Sequence, residues 1–286
     1  MEPVKHKTPT DPDIRQRILD VPDERRRYGF MAQYLWLGRV SEVFGKYMPT
    51  KDNFRLTEFE VYDGNKVNTV EAVMFIVKTA KRKGMLRPVA LPLDEKYEPW
   101  ARPVYEYMRD NDQEHPFSLH ENVETSKKYA MTTSRKMFDG IWYPYADYTR
   151  GVPEPYTQEM ILHKRYDKKG YDEWLVQLPD GRRGWTSNTE IVIMNVPVNA
   201  RWKRGTSHLH RKHRNMLLRN HYRFDGTDRA IMGGWTEKSQ DKSVPDAQKY
   251  YTFLDLSELN ESNIMELKNQ AARYFDKLLI PYSRII

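Results

Sequence analysis

The sequence predicts an α+β protein that is mostly helical, with a small antiparallel sheet and a β-rich insertion. Three observations predict this class. Apolar residues recur at helical spacing near both ends of the chain, two short apolar runs flank a basic turn, and an alternating β-type pattern occupies residues from about 151 to 204. A chain of 286 residues can bury a sizeable core, and this length favours a single domain with an insertion.

The first elements follow in chain order. Residues 1–13 are polar and contain prolines, which predicts a flexible arm. Helical periodicity then runs from Ile14 to Trp36, with a break at Val21-Pro22-Asp23. Next come two β-type runs, Ala72 to Val77 and Leu86 to Leu91, which predict a hairpin around a basic turn.

Three more helices are predicted on either side of the insertion. Residues Ala101 to Met108 form one, and Glu121 to Phe138 form a longer, basic one. Near the C-terminus, apolar positions at helical spacing predict a helix that packs into the core: Ile264, Leu267, Ala271, Phe275 and Leu278.

Composition limits the partners of the chain. The net charge of +7 and the pI near 9.2 suit a polyanionic partner and salt-dependent binding. The absence of cysteine excludes disulfides and thiolate metal sites, and it is compatible with a reducing cytosol. No run of 18 apolar residues occurs and the N-terminus is polar, so we expect a soluble cytoplasmic protein with no membrane span.

The most informative motif lies downstream of the insertion. His208 and Arg211 stand three residues apart, so on a helix they share one face and can grip a single phosphate. Trp235 follows a glycine pair, and Tyr250 and Tyr251 follow in turn. Between these positions the chain supplies an apolar helix stripe, a turn and the glycine pair: Met216 to Leu218, Asp225-Gly226 and Gly233-Gly234.

These residue types suit phosphoryl transfer. A phosphodiester attacked by a phenolate passes through a crowded, doubly negative transition state, which needs fixed donors around its non-bridging oxygens. Arginine, histidine and an indole N–H all donate. A single His-x-x-Arg pair is more typical of a solvated basic helix face, and the ordered set is what indicates catalysis.

The ordered set resembles the tyrosine recombinase (phage integrase) family, including the integrases of mobile genetic elements. SHLHRK is similar to its His-x-x-Arg box, IMGGW to its Gly-His/Trp box and YYTF to its tyrosine box. Upstream, Gly38-Arg39-Val40-Ser41-Glu42 is similar to the family's arginine box, with the glycine one residue closer than usual. The connection from Trp235 to Tyr251 is longer than in the family. Arg135, in TTSRKMF, is similar to the arginine of that box, but the Ser-Glu that should follow it is absent, so we do not assign it a catalytic role.

The resemblance implies a DNA recombinase that works through a 3′-phosphotyrosyl intermediate, without metal or cofactor. Lys78 closes the first β-run where the family carries its general acid, and Lys81 and Lys83 are rivals for that role. The other implied catalytic residues are Arg39, His208, Arg211, Trp235 and the nucleophile Tyr251, with Tyr250 as the alternate. Residues expected to contact DNA are Lys81, Arg82, Lys83, Lys127, Lys128, Lys212 and Arg214.

The implied partner is double-stranded DNA in the nucleoid, or in the host cell of a virus. We expect a monomer or weak dimer in solution and a tetramer on paired sites. Arg39 comes too early for the family's N-terminal core-binding domain, so we expect the catalytic half alone. In related recombinases the C-terminal segment docks on a neighbouring protomer, and Ile285-Ile286 is apolar enough for this.

Several alternatives stay open. Read locally, Gly38 and Ser41 would break and cap a helix, with Arg39 paired to Glu42 at the surface. The chain could be a recombinase-fold protein that binds DNA without turnover, or a type IB topoisomerase. A metal-dependent nuclease would use a different set of ligands: His208, His210, His213 and Asp225.

Overall fold

The computed structural model describes residues 9–64, 66–80, 84–139, 142–148, 152–153, 160–166, 172–177, 181, 183–186, 191–192, 197–204, 206–234 and 258–285. They form an α+β structure of helices and small antiparallel sheets, as the sequence predicts. The chain divides into two compact units. Residues 142–203 make up the second unit, and the first consists of the segments before and after it.

The helices of the first unit lie close to the predicted positions. The break at Val21-Pro22-Asp23 separates two helices, and Asp23 caps the second by accepting a hydrogen bond from the Arg26 amide at 2.8 Å. The helices are α1 (Asp11–Leu19), α2 (Glu24–Leu35), α3 (Val40–Val43), α4 (Ala101–Asp110), α5 (Val123–Met137), α6 (His208–Asn220), α7 (Gly226–Gly233) and α8 (Glu261–Phe275).

Helix α1 corrects the prediction of a flexible arm through residue 13. It begins at Asp11 because Thr10 and Asp13 form a reciprocal capping box. Asp11 is only 4% exposed, and its carboxylate accepts hydrogen bonds from Arg15 and from the hydroxyl of Tyr282, both at 2.7 Å. This end of the helix is therefore part of the core. Residues 1–8 lie outside the described part of the chain.

A three-stranded antiparallel sheet runs β1-β2-β3, with β1 (Phe54–Asp63), β2 (Lys66–Thr79) and β3 (Met85–Pro92). The two predicted runs lie within β2 and β3, whereas β1 was not predicted. The alternation of apolar and polar residues in β1 is weak because its apolar residues do not share one face. Leu56 and Tyr62 are exposed, whereas Phe59 is buried. Ala72 lies opposite Thr57 on β1 and Pro92 on β3, so β2 is the central strand.

Helices cover both faces of this sheet. On one face, Leu267 of α8 packs with Met74, Ile76 and Leu86. On the other face, the ring of Phe75 lies 5.1 Å from that of Trp36, which follows α2. The alternation of side chains along β2 therefore separates the two layers of the core.

The C-terminal segment packs against its own chain. The predicted core positions Leu267, Ala271, Phe275 and Leu278 are all buried, and Ile264 is half-buried. The chain continues through 3₁₀ turns at Asp276–Leu278 and Tyr282–Arg284, and Ile285 is 7% exposed. The predicted anchor residue Ile285 is thus covered in cis, while Ile286 lies outside the described residues.

The second unit is built from β-strands, as the insertion pattern predicts, and begins at Trp142, before the expected residue 151. Its buried side chains include Trp174 and Val176. Strand β4 (Trp142–Tyr148) pairs with β10 (Pro197–Arg204), and β5 (Val152–Pro153) pairs with β9 (Ile191–Val192). A three-stranded sheet contains β6 (Ile161–Tyr166), β7 (Asp172–Gln177) and β8 (Arg183–Thr186).

Candidate active site

The arginine box forms a tight local structure at the start of α3. Arg39 is the N-cap residue, and its backbone amide donates to Glu42 Oε2 at 3.0 Å. Its guanidinium donates to Glu42 Oε1 at 2.8 Å. The local expectation of an Arg39–Glu42 pair is therefore confirmed, but the pair is not at the surface, since the Glu42 side chain has no exposed area.

Glu42 is the centre of a larger cluster. Besides Arg39, it accepts the Ala80 amide at Oε1 (2.9 Å) and the Arg87 guanidinium at Oε2 (3.2 Å). Arg211 Nη1 lies 3.9 Å from Oε2. Burial alone would raise the pKa of Glu42, but Arg87, the Ala80 amide and Arg211 outweigh it and hold the pKa below its usual range. We call Arg39, Glu42, Arg87 and Arg211 the arginine cluster.

Arg211 enters this cluster from α6 and is 8% exposed. Its guanidinium donates to the carbonyl of Leu37 and, at 2.7 Å, to the carbonyl of Gly233. Burial, with smaller contributions from Arg39 and Arg87, lowers the pKa of Arg211 to about 9, against the opposing effect of Glu42. Two arginines that are distant in sequence thus contact one carboxylate.

Leu37 has a backbone conformation that non-glycine residues rarely adopt, with φ of 52°. A buried leucine in this left-handed region costs roughly 1–2 kcal/mol. The conformation ends α2 and aims the Leu37 carbonyl at Arg211. Gly38 does not supply the positive φ. It instead lies against the backbone of Gln33, where a Cβ would approach within 3.4 Å. Strain of this kind is common at functional sites.

Gln33 connects the two predicted boxes and was not identified from the sequence. Its side chain is completely buried near the C-terminal end of α2. The amide Nε2 donates to the carbonyl of Gly38 at 3.3 Å and to that of Ser207 at 3.4 Å. Gly38 precedes Arg39 and Ser207 precedes His208, so one side chain fixes the approach of both segments.

His208 lies at the first residue of α6 and is exposed, whereas Arg211 on the next turn is buried. A helical spacing of three places both side chains toward the same side of the helix, as predicted. The following apolar stripe is only partly correct. Leu217 and Leu218 are buried, but Met216 is 38% exposed.

The glycine pair Gly233-Gly234, which we call the glycine box, is explained by the limited space at Gly234. Gly234 caps α7 in a left-handed conformation with φ of 62°. A Cβ at this position would lie 2.7 Å from both Arg87 Cδ and Thr79 Oγ1, so only glycine fits. The predicted turn at Asp225 is the N-cap of α7, where Asp225 and Asp228 form a capping box. Trp235, Tyr250 and Tyr251 lie outside the described residues.

Lys78 is half-buried on β2, opposite Leu86. It shares the sheet face of Met74 and Ile76, whereas Thr79 lies on the other face and approaches Gly234. The Ala80 amide, two residues after Lys78, binds Glu42, so this end of the hairpin is tied to the arginine cluster. The two rival lysines, Lys81 and Lys83, lie outside the described part of the chain, as does Arg82.

The predicted DNA-contacting residues fall into two groups. Lys128 is exposed on α5, Lys127 pairs with Glu124 at 3.2 Å, and Lys212 is half-buried on α6. Arg214 is 1% exposed and pairs with Glu98 at 2.7 Å. The prediction that Arg214 contacts DNA is therefore wrong, because the helix turns this residue into the core.

The ligands of the nuclease alternative do not converge. The ring of His210 is buried, 5.5 Å from that of Phe30 and 4.9 Å from that of Phe138, while His213 Nδ1 lies 3.1 Å from the Tyr34 hydroxyl. Within the described ranges, no three His, Asp or Glu residues are grouped so as to hold a metal ion. In the same ranges, no helix combines the length and apolarity needed to cross a membrane.

Comparisons of the chain with protein-family models, with curated proteins and with solved structures found no match. The geometry of the arginine cluster therefore carries the functional argument. Among the described residues, three guanidiniums surround one carboxylate. Arginines brought together in this way suit the oxygens of a phosphate.

Proposed function

We propose that this chain is a tyrosine-type site-specific DNA recombinase, with the catalytic fold of that family, which cuts and rejoins strands through a 3′-phosphotyrosyl intermediate. One observation carries the proposal. Arg39 and Arg211, one from each of two motifs far apart in sequence, contact the same buried Glu42. The shared carboxylate brings the two guanidiniums close together, which supports a role in binding the two non-bridging oxygens of one phosphodiester.

Other features support the same reading. The end of the β2–β3 hairpin, next to the candidate acids Lys81 and Lys83 in sequence, is tied to the cluster through the Ala80 amide. The third candidate, Lys78, lies on the sheet face opposite to Arg87. The exposed His208 stands one helical turn from Arg211. Gly234 brings the chain past Arg87 and Thr79 immediately before Trp235.

In the proposed reaction, the Tyr251 oxygen forms a bond to phosphorus as the bond from phosphorus to the 5′ oxygen breaks. His208 accepts the phenolic proton, and a hairpin lysine, Lys78 or one of its rivals, protonates the departing 5′ oxygen. Arg39 and Arg211 offset the charge on the non-bridging oxygens. The linkage conserves the energy of the phosphodiester, so the 5′ hydroxyl of a partner strand can reverse the step.

The test is to trap the covalent intermediate. Because no target is known, wild-type protein is incubated with a pool of nicked synthetic duplexes whose cores are randomised, in the presence of a chelator. We expect an adduct that survives denaturing electrophoresis and is lost in Tyr251→Phe. Tyr250→Phe, its matched neighbour, should retain the adduct, and loss only in Tyr250→Phe would move the nucleophile to that residue.

The burial of Arg211 favours a second candidate, a protein that binds DNA without turnover. Its guanidinium already donates to two backbone carbonyls, which is also the behaviour of a structural arginine. In that case all three proteins would bind the duplexes and none would form an adduct. If the protein cut DNA only in the presence of a divalent ion, both candidates would be contradicted and a metal-dependent nuclease would be favoured.

A further inference from the structure

Arg87 is a third arginine at the cluster and belongs to none of the sequence motifs. It lies on β3 and is 3% exposed. Its Nη2 donates to Glu42 Oε2 at 3.2 Å, and its Nη1 donates to the Met232 carbonyl at the end of α7. A single side chain therefore joins the sheet, the arginine box and the segment that leads to Trp235.

The two oxygens of Glu42 are fully used. Oε1 accepts from the Arg39 guanidinium and the Ala80 amide, and Oε2 accepts from the Arg39 amide and Arg87. Arg211 Nη1 lies 3.9 Å from the same Oε2, just outside hydrogen-bonding distance. The oxygen of Glu42 that Arg211 approaches is therefore already bonded to the Arg39 amide and to Arg87.

We propose that Arg87 is a positioning residue that keeps Glu42 from pairing closely with Arg211, so that the Arg211 guanidinium stays where it can act on the phosphodiester. This inference rests on the proposed function. A direct Glu42–Arg211 ion pair would offset the charge that should act on the transition state. The bond from Arg87 to Met232 also holds the end of α7, and with it the glycine box, against the sheet.

Substitutions at Arg87 separate charge from packing. Arg87→Met keeps a long aliphatic stem beside Gly234 but leaves Oε2 open to Arg211. Arg87→Lys keeps the charge, but one ammonium group lacks the planar fork that reaches both Glu42 and Met232. In Glu42→Gln/Arg87→Met, the carboxylate that would capture Arg211 is also removed. The matched control is Arg109→Met, since Arg109 is half-exposed on α4.

The experiment measures the rate of adduct formation on one duplex recovered from the wild-type pool, with urea unfolding of every variant. We expect Arg87→Met to react about 100-fold more slowly than wild type, the scale of loss that misplaced catalytic groups cause. Arg87→Lys should be about 10-fold slower. The double variant should react about 10-fold faster than Arg87→Met, and Arg109→Met should match wild type.

Each outcome decides the inference. It is overturned if Arg87→Met reacts at the wild-type rate, or if the double variant is no faster than Arg87→Met, which would indicate packing alone. If Arg87→Met does not fold, Arg87→Lys decides, because a wild-type rate for it would overturn the role of the fork. If wild type forms no adduct on any duplex, the proposed function fails, and the role of Arg87 fails with it.

Discussion

Two buried charge clusters involve α6, one through Arg211 and the other through Arg214, and they differ in their charge balance. The arginine cluster holds one carboxylate and three guanidiniums. The second cluster, which we call the balanced cluster, joins Asp11 to Arg15 at 2.7 Å, Arg15 to Glu98 at 2.9 Å, and Glu98 to Arg214 at 2.7 Å. It therefore holds two acids and two bases.

The difference indicates different roles. In the balanced cluster every charge has an opposite neighbour within the chain, which is what a structural network requires. Burial opposes ionisation of Glu98, but Arg15 and Arg214 hold its pKa below the usual range. Among the described residues, the arginine cluster brings three guanidiniums to one carboxylate, a set that suits an anionic ligand. We expect substitutions to affect stability at one cluster and ligand binding at the other.

The largest effect is expected in the balanced cluster. Glu98→Gln keeps the size of the side chain but leaves Arg15 and Arg214 buried without their shared carboxylate, which should lower the free energy of unfolding by about 3–5 kcal/mol. Urea denaturation measures the change. Glu95→Gln, an exposed neighbour on the same loop, should leave stability unaltered. Equal stability of the Glu98 and Glu95 variants would show that the balanced cluster is not structural.

A smaller effect is expected from anions at the arginine cluster. Inorganic phosphate at ten times its dissociation constant should raise the free energy of unfolding of the wild type by about 1.4 kcal/mol. The increment should vanish in Arg211→Met and persist in Arg109→Met. The measurement compares urea midpoints in phosphate and in chloride at matched ionic strength. An increment that survives in Arg211→Met would place the anion elsewhere on this basic chain.

Sequence reasoning found the parts of the site that short motifs encode. Arg39 and Glu42, or His208 and Arg211, lie within one helical turn of each other, so spacing alone predicts a shared face. The predicted break ending at Asp23 and the predicted turn at Asp225 both supply N-caps of helices, whereas the expected cap Ser41 lies inside α3, whose N-cap is Arg39. The recombinase boxes at Trp235 and Tyr251 stay predictions.

The missed residues depend on contacts between distant segments. Arg87 and Gln33 are polar residues inside apolar elements, and nothing beside them in sequence reveals their partners on α7 or before α6. Arg214 was misassigned for the converse reason. In a basic stretch it resembles its neighbours, and only the position of Glu98 across the core turns it inward.

The smallest expected effect concerns His210, whose two ring nitrogens have no hydrogen-bond partner among the described residues. Burial, with a smaller contribution from His213, lowers the pKa of His210 from 6.5 to about 3. In the unfolded chain His210 therefore binds a proton near pH 6.5, whereas in the folded chain it binds that proton only near pH 3. The contribution of His210 to the free energy of unfolding therefore falls as the pH drops below about 6.5 and does not change above about pH 8.

His210→Leu removes this linkage and fills the site between Phe30 and Phe138 with an apolar side chain. Wild type should lose about 1 kcal/mol relative to His210→Leu between pH 8 and pH 6, because only the wild type carries the proton-binding difference at this position. His213 also lies on this side of α6, and its pKa is lowered to about 4, but it is present in both proteins and cancels. Urea unfolding at the two pH values gives the difference, and His221→Gln, at an exposed histidine, should follow the wild type. Parallel pH curves for wild type and His210→Leu would mean that water or a hydrogen bond reaches His210 in solution, and that the inward side of α6 is less dry than its packing indicates.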